Sequence, residues 1–327
     1  MSERSAHTDT GAAGPYGSPY HVPVLWKAVV EGLVTDPAGC YVDATIGGGG
    51  HTAALLDALA PEGRVIGIDR DPEALDAVRR RLGDAVEAGR LQLVQGNFAD
   101  LEAILDRLGV AQIDGLLLDL GVSSHQLDEA LRGFSFQAEG PLDMRMDPTS
   151  PGPTAAQLLE RWSEYELAEV LRRYGEEPRA RKLARAICRA RPIRTTAELA
   201  EVVRREVPPK EATKTLARVF QALRIAVNDE LQALERALEA ATRRVRPGGR
   251  LVVLSYHSLE DRRVKRFLRY GNLKGEPVRD FYGRLIAPWR PLTGRAIRPS
   301  DDEVAANPRA RSARLRIAER VAETENA

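Results

Sequence analysis

Cysteine is nearly absent from this chain: Cys40 and Cys188 are the only two in 327 residues. Two cysteines so far apart exclude a disulfide framework and favour a reducing, cytoplasmic setting. No run approaches the about 18 apolar residues of a membrane span, and the opening MSERSAHTDTGAAGPYGSPY lacks the apolar core of a secretory leader. A soluble protein with no membrane partner is therefore expected. The five histidines, His7, His21, His51, His125 and His257, are scattered and share no ligand spacing with either cysteine, so no metal site is expected. Ser123, Ser124 and Ser258 lack the Gly-x-Ser-x-Gly frame of a hydrolase nucleophile. Glycine (27) and proline (20) occur at ordinary levels without a period, which excludes fibrous repeats and a wholly disordered chain.

What is present is enough apolar matter, 43% of the residues, for one large domain or two. The formal net charge of +1 conceals a strong segregation. Residues 36–147 carry 9 bases and 20 acids, residues 172–218 carry 14 and 6, and residues 243–320 carry 20 and 8. Two basic regions beside one acidic region predict a polyanionic partner met by only part of the surface.

Residues 1–20, rich in Ser, Gly, Ala, Pro and Thr, have too little to bury and are expected to be disordered. From Cys40 onward, short apolar runs at 41–45, 64–69, 91–95 and 113–119 alternate with helical periodicity at 51–60, 72–82 and 99–108. Alternation of this kind predicts parallel strands covered by helices. A polar, Pro- and Gly-marked stretch follows Leu120 and runs to Pro153. A helical region then spans roughly 154–245, with breaks at Tyr174-Gly175, Arg191-Pro192 and Pro208-Pro209. A fifth strand is expected at 250–255, after the turn Pro247-Gly248-Gly249. The predicted architecture is an α/β sheet domain formed by 21–135 and 236–327, interrupted between its fourth and fifth strands by an all-helical domain, 136–235.

The first strand leads into Gly47-Gly48-Gly49-Gly50-His51 at the start of a helix. Glycines at such a turn let the backbone approach a ligand and leave helix amides free to bind it. Asp69 ends the second strand about 20 residues further on, where nucleoside-binding folds place the acid that takes the ribose hydroxyls. Thr52 breaks the Gly-x-Gly-x-x-Gly pattern, which disfavours a dinucleotide. S-adenosylmethionine, with ribose and adenine but no pyrophosphate, fits better. Ligands of open α/β sheets sit beyond the carboxyl ends of the strands, where Asp43, Asp69, Asn97-Phe98 and Asp119 are expected to converge. Asn97 and Phe98 are candidates for holding the adenine.

The segment Asp119-Leu120-Gly121-Val122-Ser123-Ser124-His125-Gln126-Leu127-Asp128 is similar to one in the ribosomal RNA small-subunit methyltransferase H family. So are Arg132-Gly133-Phe134-Ser135-Phe136, Gly140-Pro141-Leu142-Asp143-Met144-Arg145-Met146-Asp147, Phe220-Gln221-Ala222-Leu223-Arg224-Ile225 and Val227-Asn228. Ser255-Tyr256-His257-Ser258-Leu259-Glu260-Asp261 and Asn307-Pro308-Arg309-Ala310-Arg311-Ser312 extend the resemblance, which runs from His21 to Arg320. It implies a Rossmann-like S-adenosylmethionine-dependent methyltransferase sheet with an inserted all-helical domain. It implies methyl transfer to the exocyclic N4 of a cytidine in the decoding region of 16S rRNA, within the small ribosomal subunit. It also implies cofactor binding by Gly49, Gly50, His51, Asp69, Phe98, Asp119 and Gln126. Two positions depart from the family: Lys27 replaces a usual acid, and Ser255-Tyr256-His257-Ser258 replaces Ser-Phe-His-Ser.

The N4 lone pair of cytosine is delocalised into the ring, so the amine needs acceptors on its hydrogens before it can attack. Asp119, Ser123 and Ser124 are the candidates, with His257 or His125 taking the proton released after alkylation. A base inside a helix cannot present N4 in line with a donor, so the target must be unpaired or flipped out. Arg179, Arg181, Lys182, Arg185 and Arg189 of the insertion are expected to contact the RNA backbone, with Arg309 to Arg316 as a second candidate. A homodimer is compatible with these features. A nicotinamide-dependent oxidoreductase and a noncatalytic RNA-binding protein remain as other readings.

Overall fold

The computed structural model describes residues 16–17 and 23–322. Except for residues 16 and 17, the segment expected to be disordered lies outside the described residues, as do His7 and His21. Strands β1 (Cys40–Asp43), β2 (Arg64–Asp69), β3 (Leu91–Gln95), β4 (Ile113–Asp119) and β5 (Val245–Ser255) run parallel. With β6 (Trp289–Pro291) and β7 (Arg314–Arg320) they form one seven-stranded sheet in the order β3-β2-β1-β4-β5-β7-β6, in which β7 is antiparallel to both neighbours. The chain works outward from β1 to β3 and then returns to β4 on the other side of β1. This reversal opens a crevice at the carboxyl ends of the strands.

Helices α1 (Trp26–Leu33), α2 (Gly50–Ala58), α3 (Pro72–Arg81), α4 (Gly83–Glu87) and α5 (Leu101–Arg107) accompany the first four strands. After β4 come the short α6 (Ser124–Asp128) and the inserted helices α7 (Ala155–Arg161), α8 (Glu164–Gly175), α9 (Ala180–Arg189), α10 (Thr196–Glu206) and α11 (Pro209–Asn228). Helices α12 (Glu230–Arg244), α13 (Ser258–Tyr270) and α14 (Asp301–Ala306) complete the set.

The central strands are apolar at nearly every position because both faces of the sheet are covered. Val42, Ile66, Leu116 and Val253 pack with Leu105, Leu238 and Phe267 on one side. Tyr41, Val65, Leu117 and Val252 pack with Leu33, Leu55 and Val78 on the other. The inserted helices hold a separate core, in which Leu159, Leu171, Leu183, Val203 and Leu223 enclose Leu142 and Met144. Thr154, Ser163 and Thr195 start α7, α8 and α10 with reciprocal capping boxes, so these helix boundaries are written in the local sequence.

Two boundaries differ from the pattern-based reading. The helical run does not continue unbroken to 245: Asp229, at φ 53°, separates α11 from α12, and α12 lays Leu234, Ala237 and Leu238 on the sheet. The fifth strand starts at Val245 rather than at Arg250. Pro247-Gly248-Gly249 is not a turn ahead of the strand but an irregularity within it, with Gly248 at φ 83° where the register against β4 shifts.

Candidate active site

Beyond the carboxyl ends of β1, β2 and β4 lies a cavity of about 330 Å³. The turn that follows β1 forms its floor. Gly47 and Gly49 adopt φ of 48° and 73°, a left-handed backbone that glycine enters without strain. The Gly47 amide donates to Asp69 Oδ2 at 2.9 Å, and the Asp71 amide donates to Asp69 Oδ1 at 2.9 Å. Burial pushes the Asp69 carboxyl up to about 6, despite the two amides that favour its charged form.

Asp43 does not line the cavity. It is buried under the turn, where its Oδ2 accepts from the Thr52 hydroxyl at 2.7 Å, and burial raises its carboxyl above the usual range. Its work is to anchor the start of α2. His51, one position before Thr52, donates from Nε2 to the Val24 carbonyl at 2.9 Å and brings Nδ1 to 3.4 Å from Asp119 Oδ2. The Asp119 amide donates to Thr45 Oγ1 at 2.6 Å, and its Oδ1 accepts from the Tyr256 hydroxyl at 3.0 Å. Burial first, then the charge of Asp119 and its hydrogen bond, raises the Tyr256 phenol well above its ordinary value. Tyr256 is therefore a fixed donor to Asp119.

Ser123 caps α6: its Oγ accepts from the Gln126 amide at 3.1 Å, and Gln126 Oε1 accepts from the Ser123 amide at 3.1 Å. Gln126 Nε2 donates to Asp71 Oδ2 at 2.9 Å. Arg132 donates to the same Asp71 oxygen at 2.8 Å and to the Met146 carbonyl at 2.8 Å. Asp71 is 1% exposed, so this pair is shielded from water. Asn228 adds a second tie, accepting from the Met146 amide at 2.8 Å and donating to the Met144 carbonyl at 2.7 Å. These two clusters fix Met146, a cavity residue from the linker into the helical domain, against β2 and α11.

Of the residues singled out by sequence, Gly50, His51, Asp69, Phe98, Asp119, Ser123, Ser124 and Gln126 all line this one cavity. Gly49, Asn97, His125 and His257 do not. Gly49 lies behind the turn, where an added Cβ would stand 3.1 Å from Val78. His257 caps α13, its Nδ1 accepting from the Glu260 amide at 3.4 Å and its Nε2 lying 3.1 Å from Glu260 Oε1. Glu230, His257 and Glu260 bring ligand atoms within 4.8 Å of one another, a convergence that the scattered histidines of the sequence did not foreshadow. Cationic and amide donors already serve these acids: Arg224 donates to both oxygens of Glu230 at 2.8 Å, and the Tyr256 amide donates to Glu260 at 2.9 Å. Burial works to raise the Glu260 carboxyl, but His257, Arg224 and the Tyr256 amide hold it below the usual range. The cluster joins α11, α12 and α13 and sets the backbone of Tyr256.

Sequence reasoning missed Asp71, Arg132, Asn228 and the bond from Tyr256 to Asp119. Arg132 and Asn228 stood in segments that carry the resemblance but had no role assigned, and Tyr256 was visible only as a departure from it. On α9, Arg181, Lys182, Arg185 and Arg189 are exposed opposite the buried Leu183 and Ile187; Lys182 pairs with Glu206 and Arg185 with Glu164. In the tail, Arg314 and Arg316 are tied to Asp261. Arg309 lies at the cavity, where it donates to Asp128 at 3.0 Å.

A doubly wound sheet with a cavity at its strand-order reversal, and an acid at the end of the second strand, is the arrangement in which α/β proteins of the nucleoside-binding class hold their ligands. The chain belongs to the MraW methylase family, whose model matches residues 18–321. It is 50% identical over 314 residues to the ribosomal RNA small subunit methyltransferase H of Chromohalobacter salexigens, covering 92% of each chain. It is 51% identical to the protein of the same name from Halorhodospira halophila, covering 92% of this chain and 94% of that one. With the protein of that name from Geobacter sulfurreducens it shares 49% identity, covering 92% and 99%. Among the described residues no helix is long and apolar enough to cross a membrane.

Proposed function

We propose that this chain is an S-adenosylmethionine-dependent methyltransferase of small-subunit ribosomal RNA, and that its target is the exocyclic N4 of a cytidine in the decoding region of 16S rRNA. The observation that carries the reading is the placement of Asp69 and Asp119 on one cavity, with Tyr256 bonded to the second acid and His51 Nδ1 3.4 Å from it. Two carboxylates suit a cationic sulfonium ligand with ribose hydroxyls and oppose a pyrophosphate. Three arginines also border the cavity, but Arg224 is spent on Glu230, Arg309 on Asp128, and Arg70 on the Asn228 carbonyl at 3.1 Å.

Asp69 is the residue to accept the ribose hydroxyls, Phe98 is the ring to pack on adenine, and Gly47, Gly50 and His51 form the wall beside them. When bound, the cofactor supplies a methyl group on positively charged sulfur. Asp119 then accepts a hydrogen bond from the cytosine amine, which concentrates the nitrogen lone pair. Tyr256 holds the carboxylate in place for this, with His51 Nδ1 3.4 Å from its other oxygen, and Ser124 on the same cavity is a further acceptor. After transfer the alkylated nitrogen is acidic, and its proton passes to the Asp119 carboxylate. His257, turned to Glu260 and absent from the cavity lining, has no part in this scheme. The unpaired base enters beside Arg309, and the exposed arginines of α9 contact the phosphate backbone.

Equilibrium dialysis against labelled S-adenosylmethionine and labelled NAD tests the ligand directly: saturable binding of the first alone is expected, and binding of NAD alone would contradict the reading. Ribosomal RNA from cells with and without this protein tests the target. Loss of N4-methylated cytidine is expected in its absence, and an unchanged nucleoside profile would contradict the assignment.

A further inference from the structure

The segment between α13 and β6 forms a small hairpin that the methyl-transfer scheme does not use. The Ile286 amide donates to the Val278 carbonyl at 2.8 Å, and the Asp280 amide to the Arg284 carbonyl at 2.9 Å, around an antiparallel bridge between Arg279 and Leu285. Asp280 Oδ1 closes the tip by accepting from the Tyr282 and Arg284 amides at 2.9 and 2.8 Å, and Gly283 supplies the left-handed turn at φ 79°. Asn272 braces the base, donating to the Glu276 carbonyl at 2.7 Å and accepting from the Gly275 amide at 2.7 Å. The hairpin is thus a built element. At its tip stand Phe281, 97% exposed, and Tyr282, 81% exposed.

We infer that this hairpin is a stacking site for unpaired bases of the RNA substrate, separate from the cavity; the inference rests on the ribosomal RNA reading above. The two rings meet edge to face at 5.6 Å, and the Arg284 guanidinium lies 5.9 Å from the Tyr282 ring. An exposed aromatic face next to a cation is what a nucleobase and its phosphate recognise together. Lys274, Arg279 and Arg284 outnumber Glu276 and Asp280 here, and Asp280 already spends an oxygen on the turn. Two copies of the hairpin facing each other would oppose like charges, and a two-ring tip is small against the about 800 Å² per partner of a stable protein interface. None of its residues lines the cavity, so it engages RNA outside the reaction site.

The test uses the full-length chain and two variants, the double change Phe281→Ala with Tyr282→Ala, and the single change Phe281→Trp. An unstructured RNA 20-mer and the same sequence as a duplex serve as probes. The double variant is expected to bind the single strand about tenfold or more weakly, with S-adenosylmethionine binding unchanged. In the Phe281→Trp variant, the fluorescence gained over wild type is expected to be quenched by the single strand and little affected by the duplex. Equal affinity in wild type and double variant would overturn the inference, as would failure of the wild type to bind the single strand. If the introduced indole responds to protein concentration alone, or to phosphatidylglycerol vesicles but not to RNA, the hairpin is reassigned to self-association or to a membrane surface. Methylation of ribosomal RNA by wild type, measured in parallel, separates the two failures. If it persists while the hairpin proves inert to RNA, only this inference falls; if it is absent, the proposed function falls with it.

Discussion

At the residue scale, Asp69 makes the sharpest claim because its environment works against its charge. Its carboxyl is pushed from 3.8 up to about 6 in the free protein, whereas ribose hydroxyls donate to the ionised form. Cofactor affinity should therefore rise with pH through about 6, by up to roughly tenfold per unit below it, with protons released on binding. The folding contribution has the opposite sign. A raised carboxyl contributes stability that is full below 3.8 and lost as pH climbs to about 6, so the free protein should lose stability over that range while cofactor affinity rises. Calorimetric titration between about pH 5 and 8 checks both, and a flat affinity would remove Asp69 from the ribose. For Asp119→Ala, methyl transfer should fall by about 100-fold or more, well beyond any loss of cofactor affinity. Tyr256→Phe keeps the ring and removes one hydrogen bond, so kcat should drop only about 2- to 10-fold. Asp69 and Asp119 were legible because each ends an apolar strand. Asp71 and Arg132 were not, since a buried pair 61 positions apart leaves no local pattern.

At the scale of elements, the sheet was legible where a strand is buried on both faces and followed by a helix, as for β2 and β4. The three-residue β6 gives no periodicity, and β7, with alternating Arg314-Leu315-Arg316-Ile317, read only as part of a basic tail. Arg132, held by the buried Asp71, reaches across to the helical domain through the Met146 carbonyl, and within that domain Asn228 binds the Met144–Met146 backbone. Arg132→Met leaves Asp71 buried without its cation and should cost about 3–5 kcal/mol. Asn228→Ala strands one amide and one carbonyl and should cost about 1–3 kcal/mol for each group left unpaired. Thermal unfolding checks both; changes under about 1 kcal/mol would show that these ties are not what holds Met146 at the cavity.

At the scale of the whole molecule, the segregated charge of the sequence places an acidic first part of the sheet domain beside basic inserted helices and a basic C-terminal part of the same sheet domain. The composition led to the expectation of a polyanionic partner but not to the route to it, because several of the arginines are spent on internal acids, as Arg314 and Arg316 are on Asp261. Affinity for ribosomal RNA should fall steeply between low and physiological salt, and Arg181→Glu with Arg189→Glu should flatten that dependence. A salt dependence already flat in the wild type would mean that the α9 arginines only solvate their helix.

The central claim is that Asp69 and Asp119 share one cavity in order to bring a methyl donor to a cytidine amine. The most direct measurement incubates the purified chain with small-subunit ribosomal RNA and S-adenosylmethionine carrying a labelled methyl group, then identifies the labelled nucleoside by mass spectrometry. The account predicts N4-methylcytidine with the wild type and almost none with Asp119→Ala. Label on another atom, or equal label with the variant, would contradict it.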